Sequence, residues 1–366
     1  MKISISREEI LPALQVINGV VERRQPLPIL SNFLFVISKD NLSFTATDME
    51  VELVATIEKT SQKTGEITLP ARKFLDICKA LPEDAQIDLE ITNDRAIVTS
   101  GKSRFVLSTL PAQEYPLVEF SGDKTNFQIS QKNLKGILDN TAFAMAQQDV
   151  RYYLNGLLLE LDGNRLRAVA TDGHRLALCD TKIETKQNKP IQVIVPRKGI
   201  TELNRLLREV EDSIEVLISS NHIRIDLNGT KFTSKLVDGK FPDYSRVIPA
   251  ENQTPVVANK ELLRQSLTRA SILSNEKYRG VRVIVSTDKL KALAHNPEQE
   301  EAEVEIDVSY TGNEVEIGFN VSYLLDTLSI IKTESVYITI TDPNSSCLFL
   351  PENSKDSKFV VMPMRL

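Results

Sequence analysis

Residues 46–54 read ATDMEVELV and residues 170–178 read ATDGHRLAL. Each Ala-Thr-Asp closes a stretch of alternating apolar residues, LSFTATD at 42–48 and LRAVATD at 166–172, and LKALAHN follows at 290–296. A period of two is the mark of a half-buried antiparallel strand. The alternation resumes after the polar turn as Val51, Leu53, Ala55 and Ile57 in the first copy, and as Ala302, Val304, Ile306 and Val308 in the third. One chain therefore writes the same hairpin three times. The middle copy also invites an enzymatic reading, a hydrolase or transferase, because Asp172, His174 and Arg175 lie within four residues and histidine moves protons near neutral pH.

The flanks repeat as well. ITLPARKFLDICKAL at 67–81 matches VIVPRKGITELNRLL at 193–207, a strand and then proline at a helix start, where its missing N–H does no harm. VEIGFNVSYLLDTLSII at 315–331 is the third version, with Asn320 or Ser322 as the cap. Upstream of each hairpin runs an amphipathic helix opened by Ser6, Ser130 or Asn259; downstream, RFVLSTLPAQEYP, KFTSKLVDGKFPDY and SKFVVMPM each place a strand ahead of a proline. Helices are expected at 7–24, 71–80, 130–151, 196–209, 259–279 and 320–332. The 366 residues divide into three lengths of 122, larger than the roughly 20–50 residues of a solenoid repeat. The reading is an α+β protein of three similar domains at 1–122, 123–250 and 251–366, each with two helices packed on antiparallel sheets.

The expected helices hold 19 basic and 11 acidic residues, a net +8; as the whole chain carries −6, everything else carries −14. A basic helical face is the footprint expected for a phosphate backbone, although lysine and arginine also decorate solvated helices generally. No helix-turn-helix or zinc-finger spacing and no tryptophan is present, so contact with duplex backbone, blind to base sequence, fits better than base reading. Apolar residues make up 41% and charged residues 26%, a soluble composition, with no apolar run long enough to span a membrane and no signal peptide, so the cytoplasm is the expected compartment. Cys78, Cys179 and Cys347 show no metal or dithiol spacing. A G-x-S-x-G elbow and a Walker A loop are missing, and His222 and His295 stand apart from His174. Hence no catalytic residue, metal or cofactor is expected.

The blocks RKFLDIC, QDVRYYLNG, TDGHRLA, PRKG, FTSKLVDGKFPDY, ILSNEKYRGVR, NPEQEEAE, GFNVSYLLD and VVMPMRL, in this order from end to end, resemble the β subunit of bacterial DNA polymerase III, the sliding-clamp family. The resemblance implies the DNA clamp fold and a head-to-tail homodimer closing into a six-domain ring, with helices lining the hole. Twelve helices about 10 Å wide give a circumference near ~120 Å and a diameter near ~38 Å, room for a duplex with water. It implies duplex DNA contacts at Arg24, Arg72, Gln148, Tyr152, Tyr153, Arg197, Lys198, Arg205, Tyr278 and Arg279. Glu22 stands beside Arg23 and Arg24 and dilutes that charge.

A partner-peptide pocket is implied at Leu154, Thr171, Gly173, His174, Arg175, Leu176, Pro242, Arg246, Val247, Asn320, Tyr323, Ser346, Val360, Met362, Pro363, Met364 and Arg365, with Asn344 at its edge. Flexible methionines beside arginines suit capture of varied linear segments. The dimer interface is implied at Lys73, Lys102, Arg104, Phe105 and Leu107 on one side and at Ile272, Leu273, Glu298, Glu300, Glu301 and Glu303 on the other, basic against acidic around an apolar centre. The implied partners are the polymerase III catalytic subunit, the clamp loader complex, and other polymerases, mismatch-repair proteins and ligase carrying clamp-binding peptides. A string of three peptide-binding domains that forms no ring is the remaining alternative.

Overall fold

Thr47 and Thr171 end equivalent strands, and the same ten-element order runs through the chain three times. The computed structural model describes residues 2–21, 27–61, 64–92, 95–122, 124–185, 189–250 and 254–365. The first round is β1 (Lys2–Ser6), α1 (Arg7–Ile17), β2 (Asn32–Ile37), β3 (Asn41–Thr47), β4 (Val51–Glu58), β5 (Gly65–Pro70), α2 (Ala71–Ala80), β6 (Gln86–Thr92), β7 (Arg95–Ser100) and β8 (Ser103–Ser108). The second is β9 (Thr125–Ser130), α3 (Gln131–Thr141), β10 (Gly156–Asp162), β11 (Arg165–Thr171), β12 (Arg175–Lys182), β13 (Ile191–Pro196), α4 (Arg197–Leu206), β14 (Ser213–Ile218), β15 (His222–Asp226) and β16 (Thr230–Lys235). The third is β17 (Val256–Asn259), α5 (Lys260–Ser271), β18 (Gly280–Ser286), β19 (Lys289–His295), β20 (Glu301–Asp307), β21 (Val315–Asn320), α6 (Val321–Ile330), β22 (Ser335–Thr339), β23 (Cys347–Pro351) and β24 (Ser357–Val361).

Contacts divide the chain into two compact units that cut across these rounds: Met1–Lys132, Glu184–Gln187 and Lys198–Leu236 form one, and Asn133–Ile183, Asn188–Arg197 and Val237–Leu366 the other. The cause is sheet continuity. In unit 1 an eight-stranded antiparallel sheet runs β5-β2-β3-β4-β16-β15-β14-β9, where β4 of the first round pairs with β16 of the second. A four-stranded sheet, β1-β6-β7-β8, completes that unit. Unit 2 repeats the scheme with β13-β10-β11-β12-β24-β23-β22-β17 and with β20-β19-β18-β21.

Helices cover the sheets from the apolar side. In unit 1, α1 lies on β3 and β4 and against α2, burying Ile10, Leu14 and Ile17. Beneath it Phe33, Phe44 and Phe74 pack edge-on or tilted at 5.6–5.8 Å, while Phe35 stacks on Phe44 at 4.8 Å; such pairs contribute about 0.5–1.5 kcal/mol beyond burial. In unit 2, α5 lies on β19 and β20 and against α6. Ser6 caps α1 through a reciprocal box with Glu9, and Asn259 and Asn320 cap α5 and α6. Asn320, not Ser322, is thus the cap of the last helix.

Four helices stop earlier than the apolar spacing predicts, at Ile17, Thr141, Leu206 and Ser271, and α6 stops at Ile330. In α5 the reason is local side-chain chemistry, and α3 carries side-chain back-bonds of a similar kind inside its last turn. Thr141 Oγ1 donates to the Ile137 carbonyl at 2.6 Å, and Asn140 donates to the Gly136 carbonyl at 2.7 Å. In α5, Ser271 and Ser274 donate to the carbonyls of Thr268 and Ser271, both at 2.7 Å. The Thr268 and Ser271 carbonyls are the acceptors that the amides of residues 272 and 275 would need, so these serines compete for the groups that would extend α5. The observed helices therefore hold 12 basic and 7 acidic residues, a net +5, so the remainder carries −11 against the chain's −6. The segregation keeps its sign and loses part of its size.

Candidate functional site

The repeated Thr-Asp has a physical meaning. In the first turn Asp48 Oδ1 accepts from the amides of Glu50 and Val51 at 2.9 and 2.7 Å, and Thr47 Oγ1 accepts from Met49 and donates to the Val51 carbonyl. In the second, Asp172 Oδ1 accepts from His174 and Arg175 at 2.9 and 3.0 Å, and Thr171 makes the same two bonds to Gly173 and Arg175. Both turns need a left-handed third residue, Met49 at φ 78° and Gly173 at φ 88°. The third turn is longer, with Asn296 Oδ1 accepting from the Glu300 amide and Gln299 taking φ 66°. Thr-Asp is hairpin chemistry.

In unit 2 this turn carries a constellation of its own. His174 stacks on Tyr323 of α6 at 6.1 Å, and the Arg175 guanidinium lies 4.7 Å over the same ring and 5.3 Å over Phe143. Arg175 donates to Asp172 at 3.0 Å, to Asp326 at 2.5 Å and to the Phe143 carbonyl at 3.0 Å. Asp172 is therefore engaged on both oxygens, by backbone amides and by Arg175, which leaves it no base role toward His174. Arg151 braces the turn from outside by donating to the Asp172 carbonyl at 3.2 Å, and its bonds hold the Asp149 carboxyl down to about 2.

Beside the turn, Leu154, Leu176 and Val360 are buried in one apolar cluster with Leu348, and Tyr153, Val247 and Ile248 pack against it. These form a floor. Around it Thr171, Gly173 and Arg175 are half-buried and His174 exposed, as are Pro242 and Arg246. Met362 is half-buried, its amide bonded to the His174 carbonyl at 2.9 Å, and Met364 donates to the Gly318 carbonyl at 2.7 Å. Asn320 caps α6 through Ser322, Ser346 is half-buried just ahead of β23, and Pro363 is half-buried. Met364 and Arg365 also line a cleft of about 380 Å³ with Asn275, Tyr278, Leu293 and His295. The sequence gives no sign of Asp326 and Phe143, because what recruits them is Arg175, which the fold brings to Phe143, 32 positions away, and to Asp326, 151 positions away.

The expected nucleic-acid residues behave unequally. Arg24 and Glu22 lie outside the described residues. Arg72 donates to the Val21 carbonyl at 2.9 Å, Arg197 to the Met145 carbonyl at 2.9 Å, and Arg205 to the Val16 carbonyl at 2.8 Å. Lys198 is paired with Asp48. Tyr152 and Tyr278 are more than half exposed, Gln148 and Arg279 are exposed in left-handed backbone, and Tyr153 is half-buried, edge-on to Tyr152.

The expected interface residues lie on or beside the edge strands β8 and β20 and on or just after the helices α2 and α5. Lys102 and Arg104 are exposed at or beside β8, Phe105 is half-buried and Leu107 buried; Lys73 is exposed on α2. In unit 2, Ile272 is 75% exposed and Leu273 half-buried after α5, while Glu298, Glu300, Glu301 and Glu303 are exposed on and before the edge strand β20. All three cysteines are buried, and burial pushes the Cys78 and Cys347 thiols up to about 12. Among the described residues no helix is long and apolar enough to cross a membrane.

Family models of the DNA polymerase III beta subunit match in tandem, its N-terminal domain over residues 1–119, its central domain over 128–243 and its C-terminal domain over 245–365. The beta sliding clamp of Pseudomonas aeruginosa is 53% identical and that of Escherichia coli K12 49% identical, each match covering 100% of both chains. The crystal structure of the DNA polymerase III subunit beta from P. aeruginosa superposes with a TM-score of 0.97 at 52% identity, covering 100% of both chains. Caulobacter crescentus pol III beta gives 0.94 at 35% identity, again over 100% of both. With three tandem models and full-length relatives near half identity, the chain belongs to the family of bacterial DNA polymerase III beta subunits, the β sliding clamps.

Proposed function

We propose that two copies of this chain close head to tail into a ring around duplex DNA. Family membership makes the protein a sliding clamp of DNA polymerase III, a processivity subunit that performs no chemistry itself. The observation that carries the ring is an unfinished pattern. At two joints the outer strand of one round's hairpin pairs with the last strand of the next round: Val51 stands opposite Ser234 and Leu53 opposite Phe232, while Arg175 stands opposite Val361 and Ala177 opposite Phe359. The third hairpin ends at β20, and the one matching last strand left over is β8; both are edges of four-stranded sheets.

Register follows from the repeats. Glu52 faces Thr47, Leu176 faces Thr171 and Glu301 faces His295, so these three positions correspond. Phe105 holds the place of Phe232 and Phe359. Joined by the same rule, Ala302 meets Phe105 of a second copy and Glu303 meets Arg104. At the first two joints the matching cations, Lys231 and Lys358, face Val54 and Leu178. At the third the cation faces a carboxylate, which favours an inter-chain joint. Such an interface is heterologous and must close to avoid filaments.

On this reading the three domains run 1–122, 123–250 and 251–366. Gln148, Tyr152, Tyr278 and Arg279 with the α2 and α4 cations Arg72, Arg197, Lys198 and Arg205 face the DNA backbone. The groove at Leu154, His174, Arg175, Val247 and Met362 takes linear peptides from the polymerase III catalytic subunit, the clamp loader, and other polymerases and repair proteins. Tethering raises a partner's effective concentration at DNA without new chemistry.

A charge swap tests the joint. Arg104→Glu and Glu303→Arg should each weaken dimerisation by about tenfold or more, and the two in one chain should restore dimer mass by sedimentation. Equal dimerisation of all three variants would reject this register.

A further inference from the structure

The peptide groove of unit 2 has a counterpart in unit 1. The turns Thr47–Val51 and Thr171–Arg175 share their hydrogen bonds. The strand beside each is tied alike, since Lys235 donates to the Glu50 carbonyl and Met362 to the His174 carbonyl, both at 2.9 Å. Three neighbouring strands supply each floor. In unit 2 these are Leu176, Val360 and Leu348, and in unit 1 the same cross-strand positions hold Glu52, Thr233 and Arg224. An apolar row has become a polar one: Arg224 donates to Thr233 at 3.0 Å, and Glu52 accepts from the Val118 amide at 2.9 Å.

Beside the Thr47–Val51 turn lies a cleft of about 300 Å³, lined among others by Thr47, Met49, Leu117, Asn221, His222 and Lys235. Met49 and Leu117 present apolar surface, 43% and 59% exposed. His222 is 5% exposed. Its Nδ1 lies 2.9 Å from Asn221 Oδ1, an acceptor, so Nδ1 carries the proton and Nε2 is a bare acceptor; Nε2 is buried with no partner. Burial foremost, then the Lys235 and Arg224 charges, hold the ring below the usual histidine value and keep it neutral. A buried acceptor without a donor is costly and calls for an N–H or O–H from a ligand.

We propose that this cleft is a second peptide site, taking an extended segment that sets an aliphatic side chain on Met49 and Leu117 and a side-chain hydroxyl or amide donor on His222. The inference rests on the unit 2 groove being a peptide site, and the two can be read apart because each holds its own histidine. The test is a titration of the intact protein, with ¹⁵N-labelled histidine, by acetyl-Ser-Leu-amide and by acetyl-Ala-Leu-amide. The seryl probe should move the His222 ring resonances saturably and bind about tenfold tighter than the alanyl probe, the effect of one hydrogen bond to a buried acceptor. His222→Phe should abolish that preference. Met49→Gly, which copies Gly173 and opens the cleft, should remove the apolar contact and weaken both probes alike. An unmoved His222, or equal response to the two probes, overturns the second site. If His174 alone responds, the groove in unit 2 stands and this proposal falls; if neither histidine responds, both fall together.

Discussion

At the scale of single residues the repeated turn makes the sharpest demands. Gly173 combines φ 88° with a space in which a Cβ would come 2.9 Å from the Arg151 guanidinium. Gly173→Ala is therefore expected to cost about 1–2 kcal/mol in denaturant unfolding and to loosen Arg151 from the Asp172 carbonyl. Glu52 offers a pH test. Burial raises its carboxyl above the usual glutamate value, with the Val118 amide pulling the other way. A raised acid holds its proton longer in the native than in the unfolded chain, so its contribution is full below the unfolded pKa and is lost as pH rises through the folded one. Glu52→Gln should flatten that decline in stability across the acidic range; an unchanged pH profile would show that another group sets it. Thr47, Asp48, Thr171 and Asp172 were legible in the sequence because a turn is a local bargain between neighbours. Asp326 and Phe143 were not, since only the folded chain brings them to Arg175.

Among the elements, helix starts could be read and helix ends could not. Ser6, Asn259 and Asn320 announce the starts through their own side chains. The end of α5 depends on the carbonyls claimed by Ser271 and Ser274, and that of α1 on a residue far along the chain. Arg205 of α4 donates to the Val16 carbonyl in the last turn of α1, and a Cβ on Gly19 would meet the same guanidinium. A cation on a C-terminal carbonyl contributes about 0.3–1 kcal/mol. Gly19→Ala and Arg205→Met should each lose about that much stability, and the double variant should lose no more than the larger single loss. Full additivity would separate Gly19 from the Arg205 contact. The charge count carries the same lesson: expected helices overran the real ones, so the excess on them fell from +8 to +5.

For the whole molecule, the three-fold order of elements stood in the sequence, while the joining of rounds into eight-stranded sheets did not. β16 and β24 read as ordinary strands, and nothing in KFTSK or KFVVM names the edge each will meet. Their observed joints with β4 and β12 leave β8 and β20 as the remaining pair. A ring built on that pair holds DNA by enclosure rather than by grip: the bonds of Arg72, Arg197 and Arg205 to backbone carbonyls fix these cations in place without neutralising them, and the helices carry a modest net +5 for gripping. The direct test loads the dimer on nicked circular plasmid, separates the complex from free protein at moderate salt, and then linearises the DNA. Enclosure predicts that protein stays with the circle and is released once ends are available; equal retention on circular and linear DNA would contradict it.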